Sequence, residues 1–342
     1  MKTVALFNNK GGVGKTTVLY HLAWMYAELG VRVVAVDLDP QSNLTSSFLS
    51  EDRLDELWRS PAEGMTIVDA VTPLLEEGTG DILEPHLENL GHNLAMVPGD
   101  LALARVEDEL SAQWANCLNE SPKAFRITTA FHRAVRLAAS RFRADLVLLD
   151  VGPNLGALNR CALIAADDVV VPLVPDLYSL QGLRNLGPTL RKWRKGWEKR
   201  VEEAPASLAD LPPGGMQPAG YVVVLHGTRQ SRPIRAYARW AEKIPMEYRA
   251  AMDVTEPYDR LSLESDPACL AQLKHYRSLV PLAMEARKPM FRLTPADGAI
   301  GAHAAAVSDC ADDFRHLALR LAEVIALPIP TRPVLHRLPQ ER

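Results

Sequence analysis

The chain has 342 residues, of which 47% are apolar and 23% charged, which excludes a disordered polymer and leaves material for a substantial core. No apolar run approaches the ~18 residues that cross a bilayer, the first apolar stretch (Val4 to Phe7) is too short for a secretory leader, and Cys117, Cys161, Cys269 and Cys310 lack metal-ligand spacing, so they read as reduced cytosolic thiols. The net charge of −4 argues against a generic nucleic-acid binder, but charge is segregated: Glu51 to Glu88 carries eleven acidic and two basic residues, Arg184 to Arg200 one acidic and seven basic, and Arg229 to Lys243 one acidic and five basic.

Thr3 to Phe7 reads as a short buried strand, followed by Gly11-Gly12-Val13-Gly14 and a helix from Lys15 to Leu29. Gly30 stops that helix, and Val31 to Val36 is a β-branched run of the kind buried on both faces. Strand, glycine turn, helix and strand within 36 residues form a βαβ unit and predict a parallel sheet. From Leu44 to Leu137 the pattern is mainly helical, broken by Pro61, Pro73, Gly78, Gly80, Pro98 and Pro122, with Asn93 to Val97 as a candidate strand. A helix over Ala134 to Phe142 leads into the strand Leu146 to Leu149, which ends at Asp150. Val169 to Val171 and Tyr221 to Leu225 are further strand candidates. Pro205 to Pro218 reads as an exposed loop, Ala302 to Ala326 as a long final helix, and residues from about 328 to 342 as a proline-rich tail. No repeat and no strong linker divides the chain, so residues 1–342 are expected to form a single domain with a mainly helical insertion at about 44–137.

Lys10-Gly-Gly-Val-Gly-Lys-Thr-Thr17 is the most informative segment, because a strand precedes it and a helix follows. Glycines let successive N–H groups turn toward one point, and the helix N-terminus adds positive partial charge. Lys15 can then reach the β- and γ-phosphates of a nucleotide, and the Thr16 hydroxyl can ligate Mg²⁺. Lys10 stands five residues earlier, where it can reach out of its own site. An apolar strand ending in Asp150 has the Walker B arrangement, whose carboxylate holds Mg²⁺ directly or through water.

The glycine segment resembles the deviant Walker A motif of the ParA/MinD family of ATPases. Val36-Asp-Leu-Asp-Pro-Gln41 and Asp145-Leu-Val-Leu-Leu-Asp-Val-Gly-Pro153 are similar to that family's second and third motifs. The resemblance runs from Met1 to about Leu327 and implies a P-loop NTPase fold of Rossmann-like type: a mostly parallel sheet with helices on both faces and helical insertions. It implies that Lys10, Gly11, Gly12, Val13, Gly14, Lys15, Thr16 and Thr17 line ATP, with Gly152 donating an N–H to the γ-phosphate and Pro175 near the base. Asp39 would orient the attacking water, Thr16 and Asp150 would hold Mg²⁺, and Asp37 would lie nearer the metal shell. Lys10 would act in trans, so that two ATP molecules are sandwiched in a homodimer. Lys288-Pro289 would precede a short strand and the final helix. The extra length between Leu44 and Leu137, and His226 where the family has Asn or Thr near the base, depart from small members.

The final helix carries Phe314, Leu317, Leu321, Val324 and Ile325 as a core stripe rather than a membrane anchor, and the first strand opens at Thr3 without a helix-turn-helix domain before it. Arg191, Lys192, Arg194 and Lys195, with Arg232 and Arg235 further on, are candidate contacts to DNA phosphates, insensitive to base sequence. The expected function is a cytoplasmic ATPase, nucleoid-associated if it binds DNA, that dimerises on ATP, binds DNA without sequence preference and segregates DNA or positions a cargo. Its turnover is slow and stimulated by a ParB-like or other adaptor protein. The alternative is a low-turnover switch that recruits a protein through the 44–137 segment. A P-loop kinase for a small metabolite leaves Lys10 and the Asp37–Asp39 loop without a role.

Overall fold

A computed structural model describes residues 1–59, 64–77, 80–208, 210–224, 238–254, 261–276 and 278–330. In chain order the elements are β1 (Lys2–Leu6), α1 (Lys15–Glu28), β2 (Val33–Leu38), α2 (Asn43–Phe48), α3 (Glu51–Arg59), α4 (Ile67–Thr72), β3 (Glu88–Gly91), β4 (Leu94–Val97), α5 (Glu107–Asn116), α6 (Pro122–Thr128) and α7 (Ala130–Phe142). They continue with β5 (Leu146–Val151), α8 (Ala157–Leu163), β6 (Asp168–Leu173), α9 (Leu177–Glu202), β7 (Gln217–Val224), α10 (Ile244–Met252), β8 (Cys269–Leu273), α11 (Val280–Ala286) and α12 (Ala302–Val324).

The strands form one eight-stranded sheet in the order β3-β4-β2-β5-β1-β6-β7-β8. Every neighbouring pair is parallel except β3–β4, which is an antiparallel pair. Because side chains alternate along a strand, each strand feeds both faces. Ala5, Val34, Val36, Val147, Leu149 and Val171 enter the core beneath α4 to α10, while Val4, Leu6, Val33, Ala35, Leu148 and Val170 enter the core under α1 and α12. This is the three-layer α/β architecture expected from the sequence. Burial on both faces explains why β1, β2, β5 and β6 read as continuous apolar runs.

The candidate strand Asn93 to Val97 is β4, and three features differ from the sequence reading. β3, at Glu88–Gly91, has no counterpart in that reading, and it joins β4 as a local antiparallel hairpin. β8 has no clear sequence signal, yet it pairs with β7. Lys288-Pro289 is followed by a 3₁₀ turn (Met290–Arg292), not by a strand. His226, Arg229, Arg232, Arg235 and the tail beyond residue 330 lie outside the described residues.

Candidate nucleotide site

The parallel register brings the motifs together. Leu6 and Asp37 flank Asp150 at the same level of the sheet, since β5 lies between β1 and β2. The loops that leave these three strands therefore meet at one carboxyl edge, the position where open α/β sheets bind ligands. The loop after β1 turns through Gly12 (φ 71°) and Gly14 (φ 84°), left-handed conformations that a side chain would strain, and Gly14 caps α1. Val13 is buried and pins the loop, leaving Gly11, Gly12 and Thr17 exposed at the mouth.

Lys15 lies at the first turn of α1 with only 7% exposure. Burial pushes its pKa down, and Asp150 and Asp39 push it back up, so the ammonium faces both carboxylates. The Thr16 hydroxyl donates to Asp150 Oδ2 at 2.7 Å. The other oxygen of that fully buried carboxylate, Oδ1, has no hydrogen-bond partner. Burial, with the nearby Asp37 charge, raises the Asp150 pKa. An unpaired buried carboxylate oxygen beside a hydroxyl fits a hard divalent cation. Among the described residues no cluster of three or more His, Cys, Asp or Glu makes a self-contained metal centre. That suits Mg²⁺, which binds one or two protein groups and completes its shell with phosphate oxygens and water.

Asp39 is 5% exposed, and its Oδ1 accepts the Gln41 N–H at 3.0 Å. A Cβ placed on Gly152 would stand 3.4 Å from the same oxygen, so the Asp39 carboxylate lies against the loop that follows Asp150. Asp37 is fully buried, and Oδ2 accepts both the Thr45 N–H (2.8 Å) and the Thr45 hydroxyl (2.7 Å), while Oδ1 accepts the Asp39 N–H at 3.2 Å. Its carboxylate thus ties β2 to α2. Burial raises its pKa, against the lowering effect of the Thr45 hydrogen bonds.

Lys10 turns back within its own chain. Its ammonium pairs with Asp176, the N-cap of α9, and lies 3.4 Å from Ser179 Oγ, beside the exposed ring of Tyr178. Burial opposes ionisation of Asp176, but the bonds from Lys10 and the Ser179 N–H hold its pKa below the ordinary value. Pro175, immediately before it, is buried.

Of the four candidate DNA contacts on α9, Lys192 and Lys195 are exposed. Arg191 donates to the Ala251 carbonyl and pairs with Asp253 at 3.0 Å, and Arg194 donates to the carbonyls of Gly215 (2.9 Å) and Met216 (2.6 Å). Trp193 and Trp197 are core residues. Arg191 and Arg194 therefore fasten α9 to its neighbours, while Lys192 and Lys195 stand on its exposed face.

Several supporting residues carry no local sequence signal. Asn159 is fully buried and its amide donates to the carbonyls of Gly152 and Asn154, both at 2.8 Å. His21 bridges the Thr17 carbonyl (Nδ1, 2.8 Å) and the Met290 N–H (Nε2, 3.1 Å). The latter bond makes Nε2 the acceptor, so Nδ1 carries the proton, and burial pushes the pKa down to about 4. Apart from Thr17 on the same helix as His21, these partners are remote in sequence or lie in irregular loops, where periodicity says nothing.

A family model described as an AAA domain matches residues 1–202. Over 202 residues the chain is 36% identical to the chromosome-partitioning ATPase Soj of Thermus thermophilus, covering 59% of this chain and 66% of that protein. It is 32% identical over 198 residues to the sporulation initiation inhibitor protein Soj of Bacillus subtilis (57% and 66%), and 33% identical over 201 residues to the protein IncC of Escherichia coli (57% and 47%). The matched stretch thus spans less than two thirds of these relatives' own length. Among solved structures, protein DIP2308 from Corynebacterium diphtheriae superposes with a TM-score of 0.67 at 23% identity, covering 95% of this chain and 98% of that one. Apo McdA of Cyanthece gives 0.58 at 14% identity, with coverage of 94% and 99%. At these identities the two structures show a shared fold.

Proposed function

The chain belongs to the ParA/MinD family of P-loop ATPases, in its ParA/Soj-like branch, and from that membership we propose that it is a Mg²⁺-dependent ATP hydrolase. In this reading it dimerises on ATP, binds DNA without sequence preference and segregates DNA or positions a cargo in the cytoplasm, with turnover stimulated by an adaptor protein. The observation that carries the reading is the convergence of Lys15, Thr16, Asp150 and Asp39 at one edge of the sheet, with one buried Asp150 oxygen without a hydrogen-bond partner. A role in partitioning is supported by the relative from Thermus thermophilus, which is named a chromosome-partitioning ATPase.

In the proposed reaction the loop N–H groups and Lys15 bind the β- and γ-phosphates, which fixes the electrophile. Thr16 and Asp150 hold Mg²⁺, which when bound neutralises charge on the phosphate oxygens. Asp37 keeps the Asp39 loop in place through Thr45 and the Asp39 N–H. Asp39 orients a water toward the γ-phosphate beside Gly152. Lys10 contributes its charge to the partner's site after leaving Asp176.

Asp39→Ala tests this assignment, because it removes a water-orienting group and leaves Lys15, Thr16 and Asp150 intact. Mg-ATP affinity stays within about twofold, while hydrolysis falls by roughly 10²- to 10⁴-fold, the range for a positioned acid–base group. The readouts are equilibrium titration and phosphate release. Hydrolysis at the wild-type rate would move the role away from Asp39.

DNA binding is tested through salt. Each phosphate neutralised contributes about 0.9 to the slope of log K against log salt. With Arg191 and Arg194 fastened to backbone carbonyls, replacing Lys192 and Lys195 together by Ala lowers the slope by up to about 1.8 without changing basal hydrolysis. An unchanged slope and affinity would leave α9 as a solvated basic face.

A further inference from the structure

Glu107 is the first residue of α5, in the segment between α2 and α7, yet its carboxylate caps a different helix. Oε1 accepts the N–H of Ala157 and Oε2 that of Leu158 at 2.9 Å, so both oxygens seat the start of α8. A Cβ on Gly156 would collide with Oε1, so in this pose the carboxylate packs directly against the Gly156 backbone. Residues 152–156 form the whole connection between the strand bearing Asp150 and α8. Their other end is gripped from α8 as well, through the Asn159 bonds to Gly152 and Asn154. Gly152 in turn abuts Asp39. A continuous set of contacts thus runs from α5 through α8 and this loop to the water-orienting carboxylate.

α5 is also fastened elsewhere. The Trp114 ring has the guanidinium of Arg160 (α8) 4.3 Å and that of Arg200 (α9) 4.2 Å from its centre, and the Trp114 carbonyl accepts from Arg200 Nε at 2.6 Å. α5 therefore joins the helix behind the Gly152 loop to the helix whose N-cap, Asp176, holds Lys10.

We propose that Glu107 is a positioning residue that sets the Gly152–Gly156 loop for recognition of the γ-phosphate, and thereby couples the helical segment around α5 to whether ATP or ADP is bound. This rests on the ATPase reading above and adds its regulation. A γ-phosphate that draws the loop in must carry the α8 N-terminus and Glu107 with it. By linkage, a protein that shifts α5 changes affinity for ATP and leaves that for ADP alone.

The experiment uses the full chain as wild type, Glu107→Gln and Glu107→Ala, titrated with Mg-ADP and with Mg and a non-hydrolysable ATP analogue. The near-isosteric Gln variant keeps the test valid where the Ala variant fails to fold. ADP affinity is expected to stay within about twofold, and analogue affinity to fall by about tenfold in the Ala variant and less in the Gln variant, within the ordinary range of coupling between sites. Hydrogen exchange adds a second readout. In wild type the analogue, and not ADP, slows exchange in both 152–158 and 107–116, and in the variants the 107–116 response is lost. A purely structural role would weaken both nucleotides by one factor or neither, and either result overturns the assignment. Wild-type protein that binds neither nucleotide would sink the ATPase reading itself, together with this one. Wild type that binds both, with variants that keep its ATP-to-ADP preference, defeats the Glu107 proposal alone.

Discussion

Replacing Lys15 with alanine is expected to abolish measurable Mg-ATP binding. The side chain is buried at the head of α1 and faces Asp150 and Asp39, so its ammonium is the fixed counter-charge in a site that otherwise contributes carboxylates. Removing one partner of a desolvated charge pair costs on the order of 2–5 kcal/mol, or about thirty- to several-thousand-fold in affinity. The loss exceeds that of a single contact, because the phosphates would then meet Asp39 and Asp150 with only Mg²⁺ between. Fold loss is a separate matter: the unbound protein keeps its sheet, and the thermal midpoint reports it. Calorimetric titration at wild-type affinity would show that the phosphate site has been misassigned.

Replacing Lys10 with alanine should spare ATP binding by the monomer and remove the ATP-driven dimer. Within one chain the Lys10 ammonium pairs with half-exposed Asp176, beside the Ser179 hydroxyl and the Tyr178 ring, and ion pairs this open to water contribute at most about 1 kcal/mol. Its loss there is minor, and Lys15, the loop N–H groups, Thr16 and Asp150 remain. Across a dimer interface the same ammonium would meet a desolvated γ-phosphate, and its removal would cost about 2–5 kcal/mol at each of two symmetry-related contacts. Dimerisation should therefore weaken by at least thirtyfold or so. Analytical ultracentrifugation with a non-hydrolysable analogue measures the dimer, and titration at low protein concentration measures the monomer's affinity. A Lys10→Ala protein that dimerises like wild type would defeat action in trans. A monomer that loses ATP as completely as the Lys15 variant would place Lys10 in its own site.

Much of the fold was legible in the chain because its signals are short-ranged. β1, β2, β5 and β6 are β-branched runs buried on both faces, and α1 begins at a glycine turn, so each element is marked within about ten residues of itself. The glycine loop after β1 and the strand-ending Asp150 are marked in the same way. β8 was not legible, since Cys269–Leu273 has the composition of many other segments and becomes a strand by pairing with β7. Nor was the turn at Met290–Arg292, which His21 holds from 269 residues away.

The layered α/β fold, the glycine loop after β1 and the acidic residues that meet beside it were readable from the order of amino acids. Those features depend on backbone propensity, apolar periodicity and glycine placement, which act between near neighbours. Folding was needed to settle which partner each polar group took: Asp37 with Thr45, Lys10 with Asp176, Arg194 with Gly215 and Met216, and Glu107 with Ala157 and Leu158. Most of these pairs are separated by tens of residues or more, and they meet because strand order, register and helix packing bring remote segments together. A side chain's partner is set by where the packed core places it, and no local pattern carries that information.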